Sequence, residues 1–138
     1  MIITSQIQHN VATIDENSSV QDAAKLMTER YIGSLAVTSA YGIKGLFTKR
    51  ELMMSVIGEG LKAEDVKVGD VTNQALVTVK PDADVEQCLE LMKKHRCRHL
   101  VVFDGEKFIG IVSLRDMVAL LLIEKEQLIS QLKEYITN

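Results

Sequence analysis

Shifted by 65 positions, the chain falls on itself without a gap: Thr13 lands on Thr78, Val20 on Val85, Leu26 on Leu91 and Met27 on Met92. Further along, Leu35 lands on Leu100, Val37 on Val102, Gly45 on Gly110 and Arg50 on Arg115. Conservative pairs fill the spaces, among them Ile14 with Val79, Leu46 with Ile111, Thr48 with Ser113 and Glu51 with Asp116. One offset held over about 40 residues, with the apolar positions in step, marks two copies of one structural unit, roughly residues 6–58 and 71–122. Whatever this sequence folds into, it must build one small architecture twice. A unit of about 50 residues buries little core alone, so two of them sharing a core is the expected solution. The division expected from the repeat is 1–62 for the first copy and 63–138 for the second with a helical extension.

Each copy opens on a short β-like run, Val11-Ala12-Thr13-Ile14 and Leu76-Val77-Thr78-Val79. Ser19 with Asp22, and Asp84 with Gln87, have the spacing of helix-start capping boxes. Apolar residues then recur at i, i+3, i+4 and i+7 (Val20, Ala23, Ala24, Met27; Val85, Cys88, Leu89, Met92), which is one buried stripe on a helix. Two strands follow, Leu35–Thr38 with Ile43–Phe47 and Leu100–Phe103 with Lys107–Val112. Asp104-Gly105 between the second pair is a hairpin signal. A second helix begins near Thr48 and Ser113, which makes the unit β-α-β-β-α. The stretch from Gly58 to Asp70, mostly polar with three glycines, reads as a linker.

Composition narrows the function. With 16 Lys+Arg against 19 Asp+Glu, a net charge of −3 and only 4% aromatics, the basic face and stacking platforms of a nucleic-acid binder are not expected. The longest apolar run, Met117 to Ile123, is seven residues. A membrane-spanning helix takes roughly 20. No secretory signal is expected in MIITSQIQHN, and two cysteines are too few for a disulfide scaffold, so a cytoplasmic location is expected. No G-x-S-x-G, Walker loop, G-x-G-x-x-G or HExxH stands in the chain, and no enzymatic activity is expected. His95-x-Cys97-x-His99 places three metal-ligand types on alternate residues. The repeat aligns Cys97 with Ile32 and Cys88 with Ala23, however, so both thiols are expected to be packing residues and no metal site is expected.

The two second-helix junctions read Gly45-Leu46-Phe47-Thr48-Lys49-Arg50-Glu51 and Gly110-Ile111-Val112-Ser113-Leu114-Arg115-Asp116. Inside this repeated unit they resemble the signature of cystathionine β-synthase (CBS) domains: Gly, two apolar residues, Ser or Thr, two variable residues, Asp. The resemblance covers essentially the whole chain. It implies an α+β fold of two β-α-β-β-α repeats packed through their sheets with pseudo-two-fold symmetry, a Bateman module, here with an extended C-terminal helix. It also implies AMP or another adenine nucleotide (ADP, ATP, NAD(H)) bound between repeats and pairing of modules into a homodimer; a regulated protein partner is left open, and the alternative reading is a ligand-free dimerisation or scaffold module that holds a protein partner. The first copy departs from the pattern in carrying Glu51 for Asp, and neither second strand has the frequent Pro; Ala36 and Val101 stand there.

Carried onto this sequence, the resemblance implies a nucleotide site of Val77, Thr78, Arg98, His99, Ser113, Leu114, Arg115 and Asp116. A second site would use Thr13, Ser34, Thr48, Lys49, Arg50 and Glu51. The chemistry is a helix N-terminus that favours a phosphate, with a carboxylate one turn in that accepts ribose hydroxyls. With few aromatics, adenine would lie between aliphatic side chains and be read by strand backbone near Val77 and Thr78. The same S-x-x-D and T-x-x-E spacings also make capping boxes, and Glu is the better capping residue. Arg98 and His99 replace Gly33 and Ser34 of the first copy, which points to one basic pocket in the second copy. From Leu114 the last helix is expected to run to about residue 137, roughly 35 Å. Its residues Val118, Leu121, Lys125, Leu128, Leu132 and Tyr135 follow the 3,4 spacing of a coiled-coil seam, read here as a dimer contact.

Overall fold

The computed structural model describes residues 1–137 and divides the chain into two compact units. The first is Asn10–Leu76; the second joins Met1–His9 to the chain from Val77 onward. In the first unit β1 (Thr13–Asp15), α1 (Val20–Arg30), β2 (Ser34–Ser39) and β3 (Gly42–Thr48) lead into α2 (Lys49–Glu51). A π-helical stretch, Leu52–Ile57, continues α2, and a 3-10 turn (Ala63–Asp65) precedes α3 (Val68–Val71). The second unit contains a 3-10 turn (Thr4–Gln6), β4 (Thr78–Val79), α4 (Val85–His95), β5 (His99–Asp104), β6 (Lys107–Ser113) and α5 (Leu114–Thr137).

The two sheets repeat each other in strand order and register, with β4 one residue shorter than β1. β1 runs parallel to β2 with Thr13 opposite Ala36, and β4 parallel to β5 with Thr78 opposite Val101. β2 and β3 are antiparallel with Ser34 opposite Thr48, as are β5 and β6 with His99 opposite Ser113. Both hairpins shift register at one equivalent point, after Val37 and after Val102. Gly105, at φ 62°, takes the left-handed turn position between Asp104 and Lys107.

Local chemistry sets the helix ends. Ser19 Oγ accepts the Asp22 N–H at 3.0 Å, and Asp84 Oδ1 accepts the Glu86 N–H at 2.9 Å. α1 and α4 stop at Tyr31 and Arg96, both left-handed at φ 53° and 51°. Of the four stripe residues its spacing predicts, each helix leaves one half-buried, Ala24 or Leu89, and buries three, Val20, Ala23 and Met27 or Val85, Cys88 and Met92. These pack with Leu35, Val37 and Phe47 in the first unit, and with Leu100, Val102 and Val112 in the second.

The units do not follow the 62/63 boundary expected from the sequence. Residues 1–9 pack in the second unit and residues 63–76 in the first. Val68, fully buried, enters the first core, and Ile3, fully buried, enters the second. Their hydrogen bonds match: the Val68 N–H donates to Ser18 O at 2.8 Å, and the Ile3 N–H to Ala83 O at 2.9 Å. Gln8 then pairs with Ile111, and Asn73 with Leu46, as isolated antiparallel bridges. Residues 58–70 are therefore not a spacer. Val66 and Val68 supply apolar side chains, and their backbone ties to the start of α1, where the Val20 N–H donates to Val66 O at 2.8 Å.

Candidate functional site

In the second unit the β5–β6 register sets His99 beside Ser113, and the Leu114 N–H donates to Arg98 O at 2.8 Å. Arg98, His99, Ser113 and Leu114 therefore meet where β6 turns into α5. Asp116 joins them. Its Oδ2 accepts the Ser113 N–H at 3.0 Å and the Ser113 hydroxyl at 2.8 Å, and its own N–H donates to Ser113 Oγ at 3.1 Å. This is a reciprocal capping box. Arg98 and Arg115 are exposed, while Ser113 and Asp116 are half-buried. Thr78 lies across β5 on the far edge strand of the sheet, with Val77 just before that strand. The Val101 N–H donates to Val77 O at 3.0 Å, which fixes that backbone near the His99 end of β5.

The first unit assembles the same junction differently. Ser34 lies beside Thr48, and the Lys49 N–H donates to Gly33 O at 3.2 Å. Glu51 Oε2 accepts the Thr48 N–H at 2.9 Å and also the Thr48 hydroxyl, and Thr48 Oγ1 accepts the Arg50 N–H at 3.2 Å. Glu51 is buried. A Cβ at Gly33 would lie 3.5 Å from Lys49 Cε, so the Lys49 stem covers the place where the second unit has the Arg98 side chain. Lys49 and Arg50 are exposed, as is Thr13 on the far edge strand of its sheet. Both motif pairs thus cap their helices, and both leave an exposed arginine at the same place, Arg50 and Arg115.

One residue of this site was not among those expected. Gln8 Nε2 donates to Asp116 Oδ2 at 2.7 Å, so three hydrogen bonds gather on that oxygen and Oδ1 takes part in none of them. The signal lay in the repeat offset, which carries Gln8 onto Asn73, each paired with the strand that bears the motif glycine. Those glycines are dictated by this pairing. A Cβ on Gly110 would stand 2.2 Å from Gln8 O, and one on Gly45 would stand 2.3 Å from Asn73 O.

The cysteines pack as the repeat suggests. Cys88 is fully buried in the second core, and that burial pushes its thiol pKa up to about 11. Cys97 packs against the same cluster. Among the described residues no group of three His, Cys, Asp or Glu side chains is arranged to hold a metal ion. Among them, too, no helix is long and apolar enough to cross a membrane.

Two copies of one mixed α/β unit, each with a three-stranded sheet and a capped Gly-x-x-Ser/Thr junction, define the class of protein. The CBS domain family model matches residues 4–58 and 68–123, and the chain belongs to that family as a tandem pair. It is 31% identical over 125 residues to the CBS domain-containing protein CBSX3, mitochondrial, of Arabidopsis thaliana, over 87% of this chain and 61% of that protein. It is also 31% identical over 107 residues to the CBS domain-containing protein YhcV of Bacillus subtilis, over 78% of this chain and 76% of that protein. A solved structure of a protein with CBS domains from Burkholderia ambifaria superposes with a TM-score of 0.82 at 31% identity, covering 88% of this chain and 91% of that one. CBS-domain proteins are regulatory or sensor modules.

Proposed function

We propose that the chain is a regulatory module that binds an adenine nucleotide at the β6–α5 junction of its second unit, in a reducing compartment such as the cytoplasm, and relays occupancy to a partner protein. The observation that carries this reading is the meeting of Arg98, His99, Ser113 and Asp116 at one sheet end, with Arg115 exposed beside them. Arginine and histidine there suit a phosphate, and Asp116 Oδ1, outside the capping box, suits ribose hydroxyls. A ligand regulates such a module only as far as its affinity differs between two conformations. The test is thermal unfolding with AMP, ADP, ATP and NAD(H), followed by calorimetry. A nucleotide at ten times its dissociation constant should add about 1.4 kcal/mol. No shift at millimolar nucleotide overturns the reading.

A second reading, a ligand-free scaffold that holds a protein partner, is favoured by one observation. Both motif carboxylates are already engaged in helix caps, and two N–H groups of the first α5 turn, those of Leu114 and Asp116, have protein acceptors. Absence of any nucleotide shift, with partner binding intact, supports that reading.

A further inference from the structure

Asp116 is held from outside its own helix. Its Oδ2 accepts the Ser113 N–H at 3.0 Å, the Ser113 hydroxyl at 2.8 Å and Gln8 Nε2 at 2.7 Å, and Oδ1 takes part in none of these. The first two bonds close the helix cap; the third comes from a residue 108 positions away in the chain. Gln8 is itself anchored on β6: its N–H donates to Ile111 O at 2.9 Å, and its carbonyl accepts the Ile111 N–H at 3.1 Å. Asn73 holds the same backbone place in the first unit, donating to Leu46 O at 3.0 Å and accepting the Leu46 N–H at 3.1 Å. Its side chain does something else. Asn73 Oδ1 accepts the Ala75 N–H at 3.0 Å and closes its own turn, while Glu51 Oε2 takes the Thr48 N–H and hydroxyl. Asn is one methylene shorter than Gln. Two junctions with one backbone pairing therefore differ in where the flanking amide goes, to the motif carboxylate in one and to a local turn in the other.

We propose that Gln8 is a positioning residue for nucleotide binding: its amide occupies Asp116 Oδ2 and leaves Oδ1 as the atom that accepts the ribose hydroxyls. This role rests on the nucleotide reading of the junction and extends it. A carboxylate bonded only by its own cap can turn about its last bond and exchange the oxygen it presents. A donor from a different element removes that freedom before the ligand arrives, which lowers the ordering cost of binding. An oxygen with three donors also has no lone pair left for a diol. Gln8 stands two residues before Asn10, where the chain enters the other unit. Coupling of this kind is reciprocal: if Gln8 strengthens nucleotide binding, bound nucleotide strengthens the docking of Gln8 by the same factor. The segment that leads into the first unit thus carries the report of occupancy.

Gln8→Asn, which gives the second unit the shorter amide of the first, and Gln8→Ala test this in the full chain. Calorimetry compares whichever of AMP, ADP and ATP binds most tightly with its 2′,3′-dideoxy form. The wild type should prefer the ribonucleotide, and both variants should lose about tenfold of that preference, the dideoxy form binding all three chains alike. The Gln8 side chain is exposed, so the nucleotide-free melting temperature should move by no more than about 3 °C. A merely structural role would lower it further and weaken both ligands equally. Under hydrogen exchange the ribonucleotide should slow the Ile3 and Gln8 amides in the wild type, and less in the variants. An unchanged preference, or equal weakening of both ligands, overturns the role of Gln8 and leaves the nucleotide reading standing. So does tighter binding by the variants, which would mean that the Gln8 amide stands where the ribose belongs. A wild type that binds none of these nucleotides, or does not distinguish the two forms, overturns the ribose reading of Asp116 and this role with it.

Discussion

At the scale of single residues, the two motif carboxylates look alike in sequence and differ in surroundings. Glu51 is buried, and its Oε2 is tied to Thr48. Asp116 is half-buried, with Oδ2 shared between Ser113 and Gln8 and Oδ1 in none of those bonds. Glu51→Ala should therefore act on stability, costing about 1 kcal/mol as the loss of a cap. It should leave nucleotide affinity near the wild-type value. Asp116→Ala should weaken nucleotide binding by about 10- to 100-fold, the loss of a charge-assisted hydrogen bond of roughly 1.5–3 kcal/mol. Calorimetry on the folded variants checks both; equal affinity losses would make the two junctions equivalent. Cys88 gives a pH dependence of known sign. Burial raises its pKa from 9.0 to about 11, so the folded state holds a proton that the unfolded chain releases first. The contribution is complete below pH 9 and is lost as pH rises through 9 to about 11. Cys88→Ala, which restores the residue of the first copy at Ala23, should flatten the alkaline limb of a stability–pH curve. An unchanged alkaline limb would show that Cys88 does not set it.

At the scale of elements, most of each unit was legible because its signals are local or follow the repeat. Helix stripes, the hairpins and the junction motifs all appear where period and offset place them. Three things were not legible, and each has a physical cause. The opening strand of the second copy shrinks to Thr78–Val79, the two residues in ladder register with β5, while Val77 adds only its carbonyl, which accepts the Val101 N–H, and Leu76 is not in the ladder. After α2 the first copy winds as a π-helix, closed by the Gly58 N–H donating to Met53 O at 2.7 Å, where the second copy stays α-helical. Residues 1–9 join the unit of the second copy, a choice of tertiary partner on which a repeat offset is silent. The last point makes a prediction. Ile3 is fully buried among Val85, Cys88 and Met117, so Ile3→Ala should destabilise by about 2–4 kcal/mol. Under hydrogen exchange the loss of protection should fall on α4, β5 and β6 ahead of α1, β2 and β3. Loss of protection in the first unit instead would mean that the N-terminal segment stabilises the wrong set of strands for this assignment.

At the scale of the whole molecule, α5 separates stability from assembly. A chain cut after Glu124 keeps Met117 and Leu120 in the second core. It also keeps the Glu124 carboxylate that accepts from the N-terminal ammonium at 2.8 Å. Every described residue removed, 125–137, is exposed, so none of the buried residues among those described is lost. Surface changes of this kind usually stay within about 0.5 kcal/mol, and thermal unfolding of the dilute truncated chain should match that of an equally dilute full chain. Self-association should behave differently. Leu128, Leu132 and Tyr135 of the seam expected from the sequence are gone, and what remains of it, Val118 and Leu121, is too short for a helix pair. The truncated chain should lose the concentration dependence of its melting temperature that mass action gives an associating protein. The two measurements are independent, and they divide the alternatives. A truncated chain that melts lower at every concentration would mean that the tail packs on its own unit. One that keeps its concentration dependence would place the self-association elsewhere on the molecule, with the exposed Met53 and Ile57, the first-copy counterparts of Val118 and Leu122, the next residues to substitute.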